Sequence, residues 1–453
     1  MSTIIDNKAA PPPIAAGAAK PKKIIPPQLV RGMRDILPSE WRYWNFVTQQ
    51  VEAQARAYSF GRIETPILEK SNLFSRAIGT TTDIVEKEMY SFVDQSGDHL
   101  SLRPEYTAGV ARAYIEHGML SLPQPVKLYS LGQNFRHERP QAGRYRQFWQ
   151  FNFEVYGEGS ATADTQLILL AAALFDGLKL PVAIQINSVG CPTCRPAYRQ
   201  ALVDYYRTKR SVLCEDCKRR LQRNPLRLLD CKQEACHALV QSAPQMVDFF
   251  CEVCKHHFVR LLEYLDEVEL AYQLNPYLVR GIDYYTRTVF EVWGQDEARS
   301  VLAGGGRYDN LMADLGGPPT PAVGFGGGLE RIINELKIRD VAIPLPVTPD
   351  LFLASLGEAA RKKALKLFED LRRQGVLVSE SFTKDGLKHQ LEIANRLGVK
   401  FALVLGQKEL MDGTIIVRDM ENGIQEIVDL KKVVSEVQKR LQAHQSSITS
   451  TAV

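Results

Sequence analysis

The chain has 453 residues, of which 45% are hydrophobic and 24% are charged, so it is long enough for two to four domains of an ordinary soluble globular protein. The formal charge of +4 is too small to indicate a polyanionic partner by itself. The longest uncharged apolar run, Leu167–Phe175, is far shorter than the roughly 20 residues that cross a bilayer. No N-terminal stretch has the layout of a secretory signal, so we expect a cytoplasmic protein without a membrane partner.

The N-terminal segment is rich in proline and alanine and cannot bury enough surface to fold. It predicts a disordered tail over residues 1–28, with order beginning near Leu29. A helical pattern covers Glu40–Ala57, and an extended segment follows over Arg62–Leu68. Pro66 cannot donate to a sheet ladder, which places this strand at an edge or an interface. The helix and strand suit a homodimer surface, and ordinary core packing is the alternative.

Two polar residues follow a predicted strand in the segment Leu102–Gly109. Thr107 is placed to cap a helix that begins near Ala108. Glu105 follows a proline at the end of the strand. Its carboxylate is expected either to hold an ammonium group or to cap the same helix.

Four arginines occupy the loop between the strand-like runs Val126–Ser130 and Phe148–Tyr156. They are Arg136, Arg139, Arg144 and Arg146. A guanidinium group pairs with two phosphate oxygens at once, and such a loop is costly to hold together unless it binds an anion. A surface loop of salt bridges is the alternative, but Glu138 is the only carboxylate in the loop. We therefore favour anion binding.

The second of these strands alternates between polar and apolar residues. One face carries Gln150, Asn152 and Glu154. The other face carries Trp149, Phe151, Phe153 and Val155. The polar face beside the arginine loop resembles a floor for a small ligand with amine or imidazole donors, and a solvent-exposed sheet face is the simpler alternative.

All eight cysteines lie in a basic, helical block over residues 190–266. They form four pairs, which are Cys191 and Cys194, Cys214 and Cys217, Cys231 and Cys236, and Cys251 and Cys254. Two pairs make one tetrahedral zinc site and four make two, so structural zinc is favoured over free thiols or disulfides. Within the block, Lys and Arg exceed Asp and Glu by eleven to four between Arg195 and Lys232. This excess suits nucleic-acid phosphates or a solvated helix surface.

Strand-and-turn patterning resumes over Val279–Gly328. It begins with Arg280 and includes the adjacent Tyr284 and Tyr285, which point to opposite faces of a strand, so that only one can line a pocket. Arg331 then follows a run of glycines, Gly324 and Gly326–Gly328. A flat glycine surface under an arginine suits a stacked adenine ring, and a tight strand-to-helix turn is the alternative. The sequence contains no GxxxxGK[ST] phosphate loop.

A proline-rich linker precedes a compact α/β domain, which is expected over residues 350–440, with a flexible tail over residues 441–453. The predicted βαβαββ elements are Leu351–Ser355, Glu358–Gln374, Val376–Ser379, Gly386–Leu397, Phe401–Leu405 and Thr414–Asp419.

Together these segments resemble the class II aminoacyl-tRNA synthetases, and within them the histidyl-tRNA synthetases. Arg280–Glu291 is similar to a segment peculiar to the histidine enzymes, Phe135–Tyr156 to class motif 2, Ala322–Ile332 to motif 3 and the Pro66 strand to motif 1. The resemblance spans about Leu29–Leu430. It implies an α+β fold in which an antiparallel-sheet catalytic domain carries a helical insertion and is followed by a C-terminal anticodon-binding domain.

The catalytic domain would comprise residues 29–189 and 267–343, on either side of the insertion over residues 190–266. The implied reaction joins histidine and ATP, with Mg²⁺, to give histidyl-adenylate and pyrophosphate. The histidyl group then moves to the 3′ end of its tRNA.

The resemblance also implies roles for individual residues. Arg136 would bind the ATP α-phosphate and Arg144 the γ-phosphate side, and Arg331 would lie against adenine and phosphate. Arg280 would stabilise the charge that develops between the histidine carboxylate and the α-phosphate. The histidine ligands would be Glu105, Thr107 and Gln150 for the amino and carboxylate groups, and Glu154 and Tyr285 for the imidazole, with Tyr308 nearby. Gln141 would contact the acceptor end of the tRNA.

The main alternative is a non-catalytic synthetase paralogue that acts as a histidine-sensing regulatory subunit. Such paralogues typically lack the Arg280–Glu291 segment and the C-terminal domain, and both are present in this sequence. A general RNA-binding protein with zinc modules would leave the arginines and the Gln150–Glu154 face unexplained. Tyr106 stands where the family usually has a small residue, and we expect it to add bulk beside Glu105.

Overall fold

The computed structural model describes residues 26–141, 143–295, 300–345, 348–383 and 386–450. The chain divides into two compact units, Met1–Ile343 and Pro344–Val453. Most of the predicted N-terminal tail lies outside the described residues. Every helix in the part of the chain that the structure describes is too short or too polar to cross a membrane.

The helices of the first unit are interspersed with its strands along the chain, and four of them occupy the long connection over residues 189–272. They are α1 Trp41–Ala57, α2 Ser71–Ile78, α3 Thr107–Glu116, α4 Ala161–Gly177, α5 Arg195–Arg207, α6 Glu215–Arg223, α7 Glu234–Ala238, α8 Glu252–Glu267, α9 Leu311–Asp314 and α10 Leu329–Ile338. Short 3₁₀ segments lie at Met119–Ser121, Pro225–Leu228, Val240–Ser242 and Met246–Phe249, and a π-helical turn lies at Ile84–Glu88.

The strands of the first unit form two sheets. They are β1 Gly61–Arg62, β2 Leu68–Lys70, β3 Ser91–Val93, β4 His99–Leu102, β5 Val126–Phe135, β6 Gln147–Tyr156, β7 Val182–Ser188, β8 Gln273–Leu274, β9 Thr286–Gly294, β10 Val301–Arg307 and β11 Ala322–Gly328. Within the described residues, the larger sheet has eight strands in the order β1-β5-β6-β11-β10-β9-β7-β8, and the smaller has the order β2-β4-β3. The two outermost pairs of the larger sheet are parallel and the inner pairs are antiparallel. The structure therefore has the antiparallel sheet that the sequence predicts.

The alternation along β6 separates a core face from a polar face. Phe151, Phe153 and Val155 are buried in a hydrophobic cluster that also contains Leu174 of α4 and Leu336 of α10. This packing explains why the strand carries three bulky apolar residues at a spacing of two. The polar residues of the strand consequently lie on the opposite face of the sheet.

The predicted strand Arg62–Leu68 is wrong in its extent. The chain forms the short strands β1 and β2 in different sheets, with Pro66 in the connection between them. Because Pro66 has no N–H to donate, the chain leaves the ladder before this residue. The expectation of an edge position holds for β1, which is the first strand of the large sheet.

The second unit contains a five-stranded sheet in the order β13-β12-β14-β15-β16 within the described residues. Its elements are β12 Leu351–Ser355, α11 Glu358–Arg373, β13 Val378–Glu380, α12 Leu387–Leu397, β14 Phe401–Leu405, α13 Gln407–Asp412, β15 Thr414–Asp419, β16 Gln425–Asp429 and α14 Val433–Ser450. The six predicted elements are present, with ends that differ by two residues or fewer, whereas α13, β16 and α14 were not predicted.

The last helix of the second unit extends into the segment predicted as a flexible tail. Helix α14 continues through residues 441–450, within the predicted tail. Val433, Val437 and Leu441 are buried at a spacing of four residues in the core of the second unit. Burial along one face of a helix stabilises it beyond the point where composition suggests disorder.

Candidate active site

A cavity of about 630 Å³ collects residues from six separate segments of the first unit. The predicted residues that line it are Arg136, Arg144, Gln150, Arg280 and Arg331. They come from the ends of β5 and β6, the loop before β9 and the start of α10. Folding therefore brings together four arginines that are up to 195 residues apart in the chain.

The positive charge in this cavity is only partly neutralised. Glu138 lies 3.3 Å from a guanidinium nitrogen of Arg144 and 3.9 Å from one of Arg136, so these two arginines share one carboxylate. Burial lowers the pKa of Arg331, and repulsion from Arg144, Arg136 and Arg280 lowers it further. An anion bound in the cavity would relieve this repulsion. A cluster of incompletely neutralised arginines is expected of a site that binds a polyphosphate.

Arg280 is held in place by Glu291 on β9. The Arg280 guanidinium forms an ion pair with Glu291 and lies 5.8 Å from the ring centroid of Tyr285. Burial lowers the pKa of Arg280, but Glu291 and Tyr285 together outweigh burial and raise that pKa above its ordinary value. A Cβ at Gly304 on β10 would lie 2.5 Å from Arg280 Nη1, so glycine is needed there to admit the guanidinium. The arginine is therefore charged and firmly oriented.

Arg331 projects from the first turn of α10. Its Nη1 donates to the carbonyl oxygen of Val301 at 2.8 Å. A Cβ at Gly143 in the arginine loop would lie 3.2 Å from Arg331 Cγ, so the two segments pack closely. Both Arg331 and Arg144 then face the same cavity.

The remaining predicted histidine ligands form a buried polar cluster along the same face of β6. Thr107 Oγ1 donates to Glu154 Oε1 at 2.7 Å, and the Tyr308 hydroxyl donates to Glu154 Oε2. The Tyr284 hydroxyl donates to Glu105 Oε2 at 3.2 Å. Gln150 lines the cavity four residues before Glu154, so the cluster and the cavity share one strand face.

Both carboxyl groups of this cluster are almost completely buried. Burial raises the pKa of Glu154 to about 8, although Tyr308 and Thr107 oppose the shift by donating hydrogen bonds. Burial also raises the pKa of Glu105, against the backbone N–H of Ala108 and the positive charge of Arg136. Each group lacks a cation in direct contact within the described residues, so each is suited to accept a hydrogen bond from a cationic or imidazole ligand.

The glycine-rich strand β11 lies directly beside this polar face. Gly324 pairs with Glu154, Gly326 with Asn152 and Gly328 with Gln150. A Cβ at Gly326 would lie 2.8 Å from Asn152 Nδ2 and closer still to the amide of Gln150. The glycines therefore allow the side chains of β6 to spread across their neighbour.

The expectation of a flat four-glycine surface for adenine is corrected in part. Gly326 and Gly328 line the cavity, whereas a Cβ at Gly327 would meet the ring of Phe151 in the core. Successive residues of a strand face opposite sides of the sheet, so the run cannot present all its members to one ligand.

Two expectations about the Glu105 segment are wrong. Thr107 does not cap α3, because its hydroxyl donates to Glu154, and Glu105 Oε1 instead accepts from the N–H of Ala108 at 2.8 Å. Tyr106 does not add bulk beside Glu105. Its hydroxyl contacts Arg103 and lies 3.0 Å from Glu64 Oε1, in space left open by the absence of a side chain at Gly132.

Two other predicted residues lie apart from the large cavity. Gln141 is exposed in a tight turn, where its carbonyl accepts from the N–H of Arg144 at 2.9 Å. Tyr285 lines a smaller neighbouring cavity together with Arg280 and Asp283, although its ring centroid is only 6.5 Å from that of Tyr308.

Several residues of the site were not among the predicted ligands. They are Asp230, Lys232, Tyr284, Glu291 and Glu330. Glu291 and Tyr284 belong to the Arg280–Glu291 segment, so the sequence could have predicted that they lie near the site. Asp230 and Lys232 lie in the cysteine-rich block, and only the tertiary structure shows that this block borders the cavity.

Comparison with known proteins extends over most of the chain. Residues 32–332 match the family described as histidyl-tRNA synthetase, and residues 350–440 match the family described as anticodon binding domain. A histidine–tRNA ligase from Dehalococcoides mccartyi is 46% identical over 416 residues, which cover 91% of this chain and 100% of the relative. One from Desulforamulus reducens is 45% identical over 412 residues, which cover 90% and 98%.

The fold agrees with a solved structure of the same kind. The crystal structure of apo histidyl-tRNA synthetase from S. aureus has a TM-score of 0.75 and 33% sequence identity, and the match covers 90% of this chain and 99% of that chain. The predicted class II fold is thereby confirmed. The chain belongs to the histidyl-tRNA synthetase family.

Proposed function

We propose that the chain activates histidine with ATP and transfers the histidyl group to the 3′ end of its tRNA. One observation carries this proposal. Four arginines and Gln150 line the same cavity, and Gln150 shares the polar face of β6 with the buried Glu154. This arrangement provides for a polyphosphate and for a small polar ligand side by side. Family membership supports the same reaction.

ATP is proposed to lie in the large cavity with its phosphates against Arg136 and Arg144 and its adenine near Arg331. The mutual repulsion of these arginines favours a ligand of high negative charge. Mg²⁺ accompanies ATP and prefers oxygen ligands in octahedral geometry. Glu138 already faces arginines, and Glu330 accepts from the N–H of Trp149 at 2.9 Å. These residues therefore fit a Mg²⁺ ion that would be held mainly by phosphate oxygens and water.

In the first step an oxygen of the histidine carboxylate attacks the α-phosphorus of ATP. The bond from that phosphorus to the bridging oxygen breaks, and pyrophosphate leaves with its electron pair. Arg280 is proposed to stabilise the charge on the five-coordinate α-phosphate, together with Arg136. An arginine that Glu291 already orients loses little energy to reorganisation during the reaction.

Histidine is proposed to bind along β6. Its amino and carboxylate groups would contact Glu105, Thr107 and Gln150. Its imidazole would reach Glu154 and Tyr285, with Tyr308 holding Glu154 from the far side. The buried carboxyl groups support this assignment because each needs a hydrogen-bonding ligand in place of water.

The tRNA is proposed to contact both units, each through its own surface. The exposed turn at Gln141 is available to the acceptor end, and residues 350–440 match anticodon-binding domains. Self-association as a homodimer is supported by exposed apolar side chains on the small sheet β2-β4-β3, namely Leu68, Phe92 and Val93.

Histidine-dependent exchange of pyrophosphate into ATP tests the activation step. Of the standard amino acids, histidine alone is expected to support exchange. Arg280→Ala should lower kcat by about 10²-fold to 10³-fold with little change in the KM for histidine, because Arg280 acts on the developing charge. Arg56→Ala, which removes an exposed arginine at the end of α1, is the matched control.

Absence of histidine-dependent exchange would overturn the proposal and would favour the alternative, a histidine-sensing regulatory subunit. Equal changes in kcat and KM would contradict the role of Arg280 in the transition state. No observation in the structure favours the regulatory alternative, since both the Arg280–Glu291 segment and the C-terminal unit are present.

A further inference from the structure

The cysteines of the block between β7 and β8 gather into two sets of four. The first set is Cys191, Cys194, Cys251 and Cys254. The second set is Cys214, Cys217, Cys231 and Cys236. Within each set all sulfur atoms lie within 4.8 Å of one another. The first and last cysteine pairs of the block thus form one set, and the two pairs that lie between them in the chain form the other.

The sulfur separations match a tetrahedral metal site. A Zn–S bond of about 2.3 Å gives a ZnS₄ tetrahedron an edge of about 3.8 Å. In the first set, Cys191 Sγ lies 3.5 Å from Cys194 Sγ and 3.8 Å from Cys251 Sγ, and Cys194 Sγ lies 3.6 Å from Cys254 Sγ. In the second set, Cys214 Sγ lies 3.9 Å from Cys231 Sγ. A disulfide needs a separation of about 2.05 Å, so these contacts are not bonded pairs.

Backbone donors support thiolates in both sets. The N–H of Cys191 donates to Cys194 Sγ at 3.2 Å, and the N–H of Cys214 donates to Cys236 Sγ at 3.2 Å. Such outer hydrogen bonds orient metal-bound sulfur and stabilise its charge. Gly190 has a φ of +67°, and a Cβ there would lie 3.0 Å from Cys194 Sγ, so the turn that brings the first pair into place requires glycine.

We propose that each set binds one Zn²⁺ as a structural ion and that the two ions hold the block as a wall of the large cavity. Zinc bound by four thiolates leaves no open position for catalysis, which is the property of structural sites. The first ion would tie the entry and exit of the block together across 60 residues, and the second would fix its interior. Within its described residues the block contains helices and no sheet that would join them, so metal ligation would link these helices to one another.

The block makes direct contacts with the segment that carries Arg280. Arg227 Nη1 donates to the carbonyl oxygen of Gly281 at 2.8 Å, and Asn224 Nδ2 donates to Asp283 Oδ1 at 2.7 Å. Both donors lie between the inner two cysteine pairs in the chain, so the second ion would hold the helix and turn that present them.

The metal ligands themselves adjoin residues of the site. Asp230 and Lys232, which flank Cys231, line the large cavity. Arg195 directly follows Cys194, and its Nη2 donates to the carbonyl oxygen of Tyr285 at 2.5 Å. Ligation of either set would therefore restrain the wall of the site as well as the block.

Metal analysis of the full-length protein tests the stoichiometry without any variant. Inductively coupled plasma mass spectrometry is expected to find two zinc ions per chain. X-ray absorption at the zinc edge should show four sulfur neighbours at about 2.3 Å and no nitrogen neighbour. Fewer than two ions per chain, or a mixed sulfur and nitrogen shell, would overturn the proposal.

Two double variants of buried cysteines test the pairing. Cys194→Ser with Cys254→Ser damages only the first set, so one zinc ion per chain should remain. Cys194→Ser with Cys217→Ser damages both sets, so none should remain. The reverse result would show that neighbouring pairs in the chain share a metal. Zinc content does not depend on histidine activation, so this proposal and the proposed function fail separately.

Discussion

At the residue scale, Glu154 shows how burial changes the protonation of a side chain in the site. Thr107 and Tyr308 both donate to it, yet burial prevails and raises its pKa to about 8. The folded protein therefore holds a proton on Glu154 near neutral pH, whereas an exposed glutamate would be ionised.

This protonation predicts a pH dependence of stability. The pKa of Glu154 rises from 4.5 in the unfolded chain to about 8 in the fold, so the folded state binds the extra proton. Its contribution is fully present below pH 4.5 and is lost as the pH rises towards 8, by about 1.4 kcal/mol per pH unit. Between about pH 5.5 and 7.5, the free energy of unfolding should fall by roughly 2 kcal/mol more in the parent than in Glu154→Gln.

Urea unfolding of the first unit at several pH values measures this difference. Glu267→Gln, which changes an exposed carboxylate on α8, provides the control and should follow the parent curve. Parallel curves for the parent and Glu154→Gln would show that Glu154 is ionised in the folded protein.

At the element scale, strand β11 determines how much space β6 has for its polar side chains. The pairing of Gly324, Gly326 and Gly328 with Glu154, Asn152 and Gln150 is a property of the sheet register. The sequence indicated a glycine surface, but the partner strand was not predictable from local pattern. Register joins residues that are more than 150 positions apart, and short-range periodicity carries no information about such pairs.

Gly326→Ala is expected to displace the amide groups of Gln150 and Asn152. Its Cβ would lie 2.8 Å from Asn152 Nδ2, which forces the side chains of the polar floor to move. The KM for histidine in pyrophosphate exchange should rise about tenfold, in line with the loss of roughly one hydrogen bond.

Gly61→Ala is the matched control in the same sheet, because the nearest atoms to its Cβ lie 3.8 Å and 4.0 Å away. An unchanged KM for Gly326→Ala, with the protein folded, would show that the β6 amides do not contact histidine.

At the scale of the whole molecule, the two units have separate hydrophobic cores. Leu403 is fully buried in the core of the second unit, and Leu170 is fully buried in that of the first. Removing a buried leucine side chain costs about 2–5 kcal/mol. Separate cores predict that each substitution destabilises the unit that contains it.

Differential scanning calorimetry is expected to show a transition that Leu403→Ala moves to lower temperature and another that Leu170→Ala moves. Histidine-dependent pyrophosphate exchange at 25 °C should survive Leu403→Ala, since every proposed ligand of ATP and histidine lies in the first unit. Displacement of both transitions by either substitution would show that the units unfold together.

The sequence by itself determined the elements whose signals are local. The alternation of β6, the helix Trp41–Ala57 and six elements of the second unit, namely β12, α11, β13, α12, β14 and β15, follow from hydrophobic period and turn residues. The short α13 and the largely exposed strand β16 escaped prediction because neither has an apolar periodicity of its own. Resemblance, rather than pattern, supplied the roles of the individual arginines.

Only the tertiary structure decided what meets across the sheet and around the cavity. It joined Arg280 to Glu291, assigned Thr107 to Glu154 instead of to a helix cap, and turned Tyr106 away from Glu105. It also paired the outer cysteines with each other. These contacts depend on sheet register and on the path of the connections, which are set by packing over the whole unit, so no local stretch of sequence contains them.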